Sequence, residues 1–344
     1  MTLLLFFLIS CQSYRTIGIE TYNPSVVTFP PEITTVMIVN NAAQQPDDFG
    51  HVFYNLIKPD TTTSFSLSVD SMAYLFCMAL GKEMSESPIF DDVRLCEDTL
   101  RFDSLFYISK PLTLKEFEAL CDEYDVDAII SLDKLYFTST LQLSSSVLRS
   151  QSDFLKVNVF GEMRAFCMGK QVATLFNFMD SISWTPFDLG LFLYEKEEIT
   201  SDDIVHVMRY LSEETGRKMH GYFVPFWSEA ERWYYTHFTS EWKRASVYAA
   251  AGKWQEAANE WQALYDRTKN GKQKAFLASN LALYHEVTGD FSKAIAYAEI
   301  ADAFFTKNSP EDDNIRIMQR EYLELLKKRL EDNKTLTKQL REGN

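Results

Sequence analysis

The chain has 344 residues, 46% of them hydrophobic and 14% aromatic, with a formal charge of −15. That apolar fraction excludes a disordered chain, and the length suits two domains. The acidity opposes tracking of a phosphate backbone, so no nucleic-acid partner is expected. The acidic excess is uneven: residues 1–227 hold 31 acidic against 16 basic side chains, whereas 228–344 hold 18 of each.

The first eleven residues are an apolar run ending in Leu8-Ile9-Ser10-Cys11. The run is shorter than the ~20 residues that span a bilayer and fits the apolar core of a secretory signal. The tetrapeptide resembles a bacterial lipobox. That resemblance implies cleavage after residue 10, diacylation of Cys11, and attachment to a membrane through lipid. Residues 11–31 then read as a flexible tether from membrane to domain.

Ile33 to Val39 is a β-branched run before Asn40-Asn41, a strand followed by a turn. Met72, Leu75, Phe76, Ala79 and Leu80 have helical spacing, and Thr113-Leu-Lys-Glu116 spells a capping box. Val126 to Leu132 reads as a buried strand, giving a strand–helix–helix–strand order and a parallel layer. Phe154–Phe166 and Gln171–Asp180 read as an antiparallel hairpin with Gly169 in its turn. Ser201-Asp-Asp opens a further helix that closes near Gly216. Cys77, Cys96, Cys121 and Cys167 contain no C-x-x-C pair; Cys77 and Cys121 fall on apolar helix faces, where free thiols act as small hydrophobes.

After residue 228 the chain repeats itself. Ala245, Tyr248, Gly252, Trp254, Ala257 and Leu264 recur, 37 residues later, as Ala282, His285, Gly289, Phe291, Ala294 and Ala301. Small residues stand where two helices approach closely, and glycine stands at the turn. The pattern resembles the tetratricopeptide repeat, whose usual period is about 34 residues. Ser228-Glu-Ala-Glu231 is expected to start a helix before the pair. Ser309-Pro310 is expected to start a long closing helix after it. By this resemblance Trp242, Ser246 and Ala249 from one copy, with Ser279, Leu283 and Glu286 from the other, line a partner-binding groove.

No catalytic signature stands out. His285-Glu286 lacks the second histidine of a zinc-protease helix, because Gly289 occupies that place. Ser131-Leu-Asp-Lys134 and Ser240-Glu-Trp-Lys243 spell S-x-x-K without the companion motifs. The five histidines lack ligand spacing, so no metal and no cofactor are expected. Asp47-Asp48, Asp91-Asp92 and Asp202-Asp203 would serve an unrecognised hydrolase only if such carboxylates converged in one pocket.

Taken together, the chain resembles an uncharacterised family of Bacteroides-type lipoproteins with a domain of unknown function. The expected fold class is a mixed α/β (α+β) domain over 32–227 followed by an all-α tetratricopeptide-like helical domain over 228–344. The expected role is a non-enzymatic scaffold or adaptor for envelope proteins, tethered to the outer membrane and facing the periplasm. Glycan or small-ligand binding is the alternative, with Trp184, Phe187, Trp227 and Trp233 as its aromatic cleft.

Overall fold

The computed structural model describes residues 14–55, 62–69, 71–143, 154–169, 173–185, 187–188 and 199–341. The signal segment and Cys11 lie outside the described residues. The chain divides into two compact units, one containing residues 14–24 and 227–338 and the other 25–226 with the residues from 339 on.

Part of the expected tether is a strand, β1 (Tyr14–Asn23). Its buried side chains Ile19 and Thr21 alternate with exposed ones, the period-2 pattern of a half-buried strand. The mixed α/β unit follows. It runs through β2 (Thr35–Asn40), β3 (His51–Asn55), β4 (Thr62–Ser64), α1 (Met72–Ser85), β5 (Asp92–Thr99) and α2 (Leu114–Tyr124). It continues with β6 (Ala128–Leu143), β7 (Phe154–Cys167), β8 (Thr174–Trp184) and α3 (Ser201–Met219).

These strands form one seven-stranded sheet. The 16-residue β6 organises it. One edge of β6 carries β2 in parallel register from Val36↔Ala128 to Asn40↔Leu132 and, farther along, β3 from His51↔Ser139 to Asn55↔Leu143. The other edge carries the antiparallel β7–β8 hairpin, whose turn holds Gly169 at φ 78°. The expected strand–helix–helix–strand order lacked β5, which lies parallel to β2. Asp92, Arg94, Glu97 and Asp98 dilute its apolar pattern, and the strand forms because β2 offers it an edge.

Both faces of the parallel strands are covered. Val36 and Ile38 pack with Phe76 and Leu80 of α1 and Met208 and Leu211 of α3. Met37 and Val39 pack with Phe117 and Cys121 of α2 on the opposite face. This double burial explains why β2 is a continuous apolar run. The capping box forms as expected, with the Thr113 side chain accepting from the Glu116 N–H. Thr200, one residue before the expected start, caps α3 in a second box with Asp203. Helix α3 passes through Gly216 because a Cβ there would meet the Phe76 carbonyl oxygen of α1 at 2.4 Å. Cys77, Cys96, Cys121 and Cys167 are buried, and none of them is in a disulfide.

The helical unit opens with β9 (Phe226–Tyr235), which pairs with β1. Ser228–Glu231 is therefore strand and not the expected helix. Half-buried and exposed side chains alternate from Phe226 to Glu231, and Thr21 Oγ1 donates to the Ser228 carbonyl at 3.1 Å. Two helical hairpins follow: α4 (Ser240–Ala250) with α5 (Trp254–Arg267), and α6 (Gly271–Val287) with α7 (Phe291–Asn308). Their turns place Gly252 and Gly289 at φ 69° and 79°, a region open to glycine without a Cβ penalty. The closing helix α8 (Asn314–Arg341) starts later than Ser309 suggested. Asp313 Oδ1 accepts the Ile315 N–H at 2.8 Å, and residues 310–313 form a turn.

Candidate functional site

Within the helical unit β9 runs into α4, and the first turns of α6 stand opposite. Between them lies a cleft of about 610 Å³. Its apolar wall is made by Trp242 and Phe276, with Phe238 and Val247 at 78% and 64% exposure. Arg15 of β1, Lys243 of α4 and Lys272 of α6 line it, and no acidic side chain does. None of these three cations makes an ion pair among the described residues. The Lys272 ammonium stands 5.9 Å from the Phe276 ring centroid.

The start of α6 adds to the positive potential. Asn270 caps that helix by accepting the Gln273 N–H at 3.1 Å, and the first turn of a helix carries the positive end of its dipole. His237 sits against Phe238 and Trp242, with ring centroids 4.1 and 5.7 Å away. Its Nδ1 is buried and has no hydrogen-bond partner. Burial pushes the neighbouring Tyr235 hydroxyl up to about 12, against relief from a Gln319 hydrogen bond, so it remains protonated at neutral pH. The cleft thus offers aromatic surface and positive charge.

Of the six residues expected to form a groove, only Trp242 and Ser246 reach this cleft. All six are buried, at 5% exposure or less, which corrects the expectation of an open face. The closing helix and β9 fill the space. Arg232 of β9 donates to Glu286 through Nε at 3.0 Å and Nη2 at 2.7 Å, and Tyr322 of α8 donates to it at 2.9 Å. Gln319 of α8 donates to Ser279 Oγ at 3.1 Å. Leu283 and Ala249 belong to the apolar core. Glu286 is therefore the acceptor of a buried charge network. Asn280 binds both backbone groups of Tyr235, accepting at 2.7 Å and donating at 2.8 Å. Sequence spacing located the α4 face but carried no sign that β9 would cover its neighbours.

A second cavity, of about 440 Å³, lies in the mixed α/β unit. It sits at the carboxyl ends of β2 and β5, where the covering helix changes face: α1, before β5, packs on one side of the sheet and α2, after it, on the other. Such switch points hold ligands in many open α/β folds. Here Asn40, Thr99, Glu97, Tyr74, Phe102 and Asp103 are among the lining residues. Arg101 clasps Asp103 at 2.7 and 2.8 Å, and its hydrogen bonds hold the carboxyl down to about 2. Asp103 is thereby fixed as an anion, leaving Glu97 as the unpaired carboxylate of this crevice. The hydrolase reading requires acidic side chains free to convert between acid and base.

Other candidates are absorbed by the fold. Ser131 Oγ donates to Asp133 at 2.6 Å inside the β6 bulge. Ser240 is the first residue of α4, directly after its N-cap Thr239. Asp203 belongs to the capping box, and Asp92 pairs with Arg94 at 2.6 Å. The four aromatics proposed for a glycan cleft are divided: Trp184 and Phe187 lie in the α/β unit, Trp227 and Trp233 in the helical unit. Trp227 stacks on Tyr22 with centroids 4.8 Å apart, whereas Trp233 packs on Tyr322. Among the described residues no group of three His, Cys, Asp or Glu is placed to hold a metal ion. No helix among them is long and apolar enough to cross a membrane.

Comparison with protein families gives two matches. Residues 33–235 match the family described as domain of unknown function (DUF8603), and residues 243–328 match a second, domain of unknown function (DUF6340). No curated protein matches the chain. The solved structures that align with it include three of low identity. The first is of an uncharacterized protein (9% identity, TM-score 0.25, covering 55% of this chain and 97% of that one). The second is protein XCC0632 from Xanthomonas campestris (6% identity, TM-score 0.27, covering 59% and 92%). The third is the rare lipoprotein B from Shewanella oneidensis (10% identity, TM-score 0.22, covering 50% and 87%). With TM-scores below 0.5, none of the three informs the function of this chain.

Proposed function

The chain belongs to the family described as domain of unknown function (DUF8603), and we propose that this member is a lipid-anchored envelope protein that acts as a scaffold. In this reading Cys11 is the acylated residue, the protein faces the periplasm from the outer membrane, and the helical unit docks a segment of another envelope protein. The two hairpins are read as tetratricopeptide-like repeats. Gly252 and Gly289 recur 37 residues apart at the same turn conformation, and Ala245, Ala257, Ala282 and Ala294 are fully buried at 0% exposure.

The observation that carries the docking role is the cleft beside Trp242. Its rim holds Phe238 and Val247, large apolar side chains left mostly in solvent. Exposed aromatic and aliphatic surface in a concave site is the usual anchor point of a protein ligand. The test is cross-linked capture from detergent-solubilised envelopes by wild type and by a Phe238→Ala/Val247→Ser variant. Both positions are exposed, so the fold is expected to persist with an unchanged melting temperature. A stoichiometric partner lost in the variant supports the reading. A partner retained by the variant removes the cleft from the interface.

A further inference from the structure

The charge of that cleft specifies its occupant, an inference that rests on the proposed docking role. We infer that the cleft takes an acidic segment of a partner protein, in which carboxylates accompany an aromatic or aliphatic anchor.

Two arginines near the cleft are neutralised by carboxylates, and the cations that line it are not. Between α4 and α5, Arg244 is clasped by Glu260 at 2.6 and 2.7 Å, and Arg267 is bound to Glu241 at 3.0 Å. Lys243 is adjacent to Arg244 in sequence yet has no acidic partner among the described residues, and Arg15 and Lys272 share that condition. These three come from three separate elements, β1, α4 and α6, and meet around one cavity. Like charges gathered without counter-charges repel one another. The α6 N-terminus adds a further positive end. Residues 228–344 are balanced at 18 acidic and 18 basic side chains, so the positive excess at the cleft is a local arrangement.

An anionic ligand relieves that repulsion. The geometry also excludes a purely electrostatic site. Trp242 and Phe276 back the cleft while themselves buried, and Phe238 and Val247 expose apolar surface at its rim, so a ligand with charge alone leaves that rim in water. A segment mixing acidic and aromatic side chains satisfies both features. Exposed cations act through screened Coulomb attraction, which makes the association salt-dependent and raises its on-rate.

The experiment uses the full-length lipidated chain in detergent and the fluorescence anisotropy of three labelled dodecapeptides: alternating Glu and Phe, alternating Lys and Phe, and alternating Glu and Gly. The Glu–Phe peptide is expected to bind best, with affinity falling as salt rises. A Lys243→Glu/Lys272→Glu variant is expected to weaken it by about tenfold or more, as two exposed ion pairs become repulsions, and to improve the Lys–Phe peptide. Both lysines are surface residues, so an unchanged melting temperature certifies the fold. Equal binding of the Glu–Phe and Lys–Phe peptides overturns the acidic preference and leaves the docking reading standing. Failure of all three peptides, with the envelope partner still lost in the Phe238→Ala/Val247→Ser variant, also overturns the acidic preference alone. Failure of both experiments removes both readings. Phosphatidylglycerol vesicles that bind through the two lysines when the peptides do not would reassign the cations to a lipid surface and overturn the proposal.

Discussion

Glu286 shows how one side chain changes meaning once its neighbours are known. Its sequence setting suggests a groove residue. In the fold its carboxylate is fully buried, clasped by Arg232, whose side chain is 7% exposed, and by Tyr322. Removing one partner of a buried pair leaves an uncompensated charge, so Glu286→Ala is expected to cost about 3–5 kcal/mol in urea unfolding. A loss confined to binding, with stability intact, would return Glu286 to a groove. His51 makes the second residue-scale prediction. It is 1% exposed, its Nδ1 meets Ser139 Oγ at 2.9 Å, and its Nε2 has no partner. Burial holds its pKa below the ordinary 6.5, with Asp47 opposing weakly. Because the unfolded chain takes up the proton first, stability is full above pH 6.5 and drains as pH falls below it. His51→Phe is expected to flatten that part of the profile relative to wild type, as read by denaturation from pH 7 to 5.

At the scale of elements, local signals did well where an element begins by its own chemistry. The Thr113 box forms as its residues spell it, and Thr113→Ala is expected to cost about 1 kcal/mol of stability, the usual worth of such a cap. Elements created by a neighbour were harder to read. Strand β9 carries a plausible helix start in Ser228-Glu-Ala-Glu231, yet it extends because β1 supplies the other half of a ladder, with Asn23 Nδ2 donating to Ser228 Oγ at 2.9 Å. Its alternation is present in the sequence but masked by the apparent cap. Gly216 is the complementary case: glycine suggests a helix end, whereas α3 continues and uses it for close approach to α1. Gly216→Ala is expected to destabilise by about 1–3 kcal/mol through overpacking against a backbone oxygen that cannot rotate away. An unchanged unfolding midpoint would refute that contact.

For the whole molecule, the change in charge balance near residue 227 falls where the two units separate, at Phe226 and Trp227. The helical unit also takes in residues 14–24, which local patterning assigns to a tether. The anchoring proposal belongs to this scale. Cys11→Ala is expected to move the protein from the membrane fraction to the soluble one while leaving its circular dichroism unchanged, as expected if anchoring adds no folding contact. Retention in the membrane fraction would sink the lipid-anchor reading.

Local sequence was enough for the mixed α/β class of the first unit, the helical hairpins of the second, the capping of α2 and the buried character of the thiols. Those are consequences of periodicity, turn chemistry and local hydrogen bonding, all of which act within a few residues. Long-range packing supplied the rest. It made β5 a strand by giving it an edge and filled the expected groove with Arg232, Gln319 and Tyr322. It also brought Arg15, Lys243 and Lys272 from distant parts of the chain to one cleft. Burial and charge neighbourhood depend on which surfaces meet, and no local pattern encodes that.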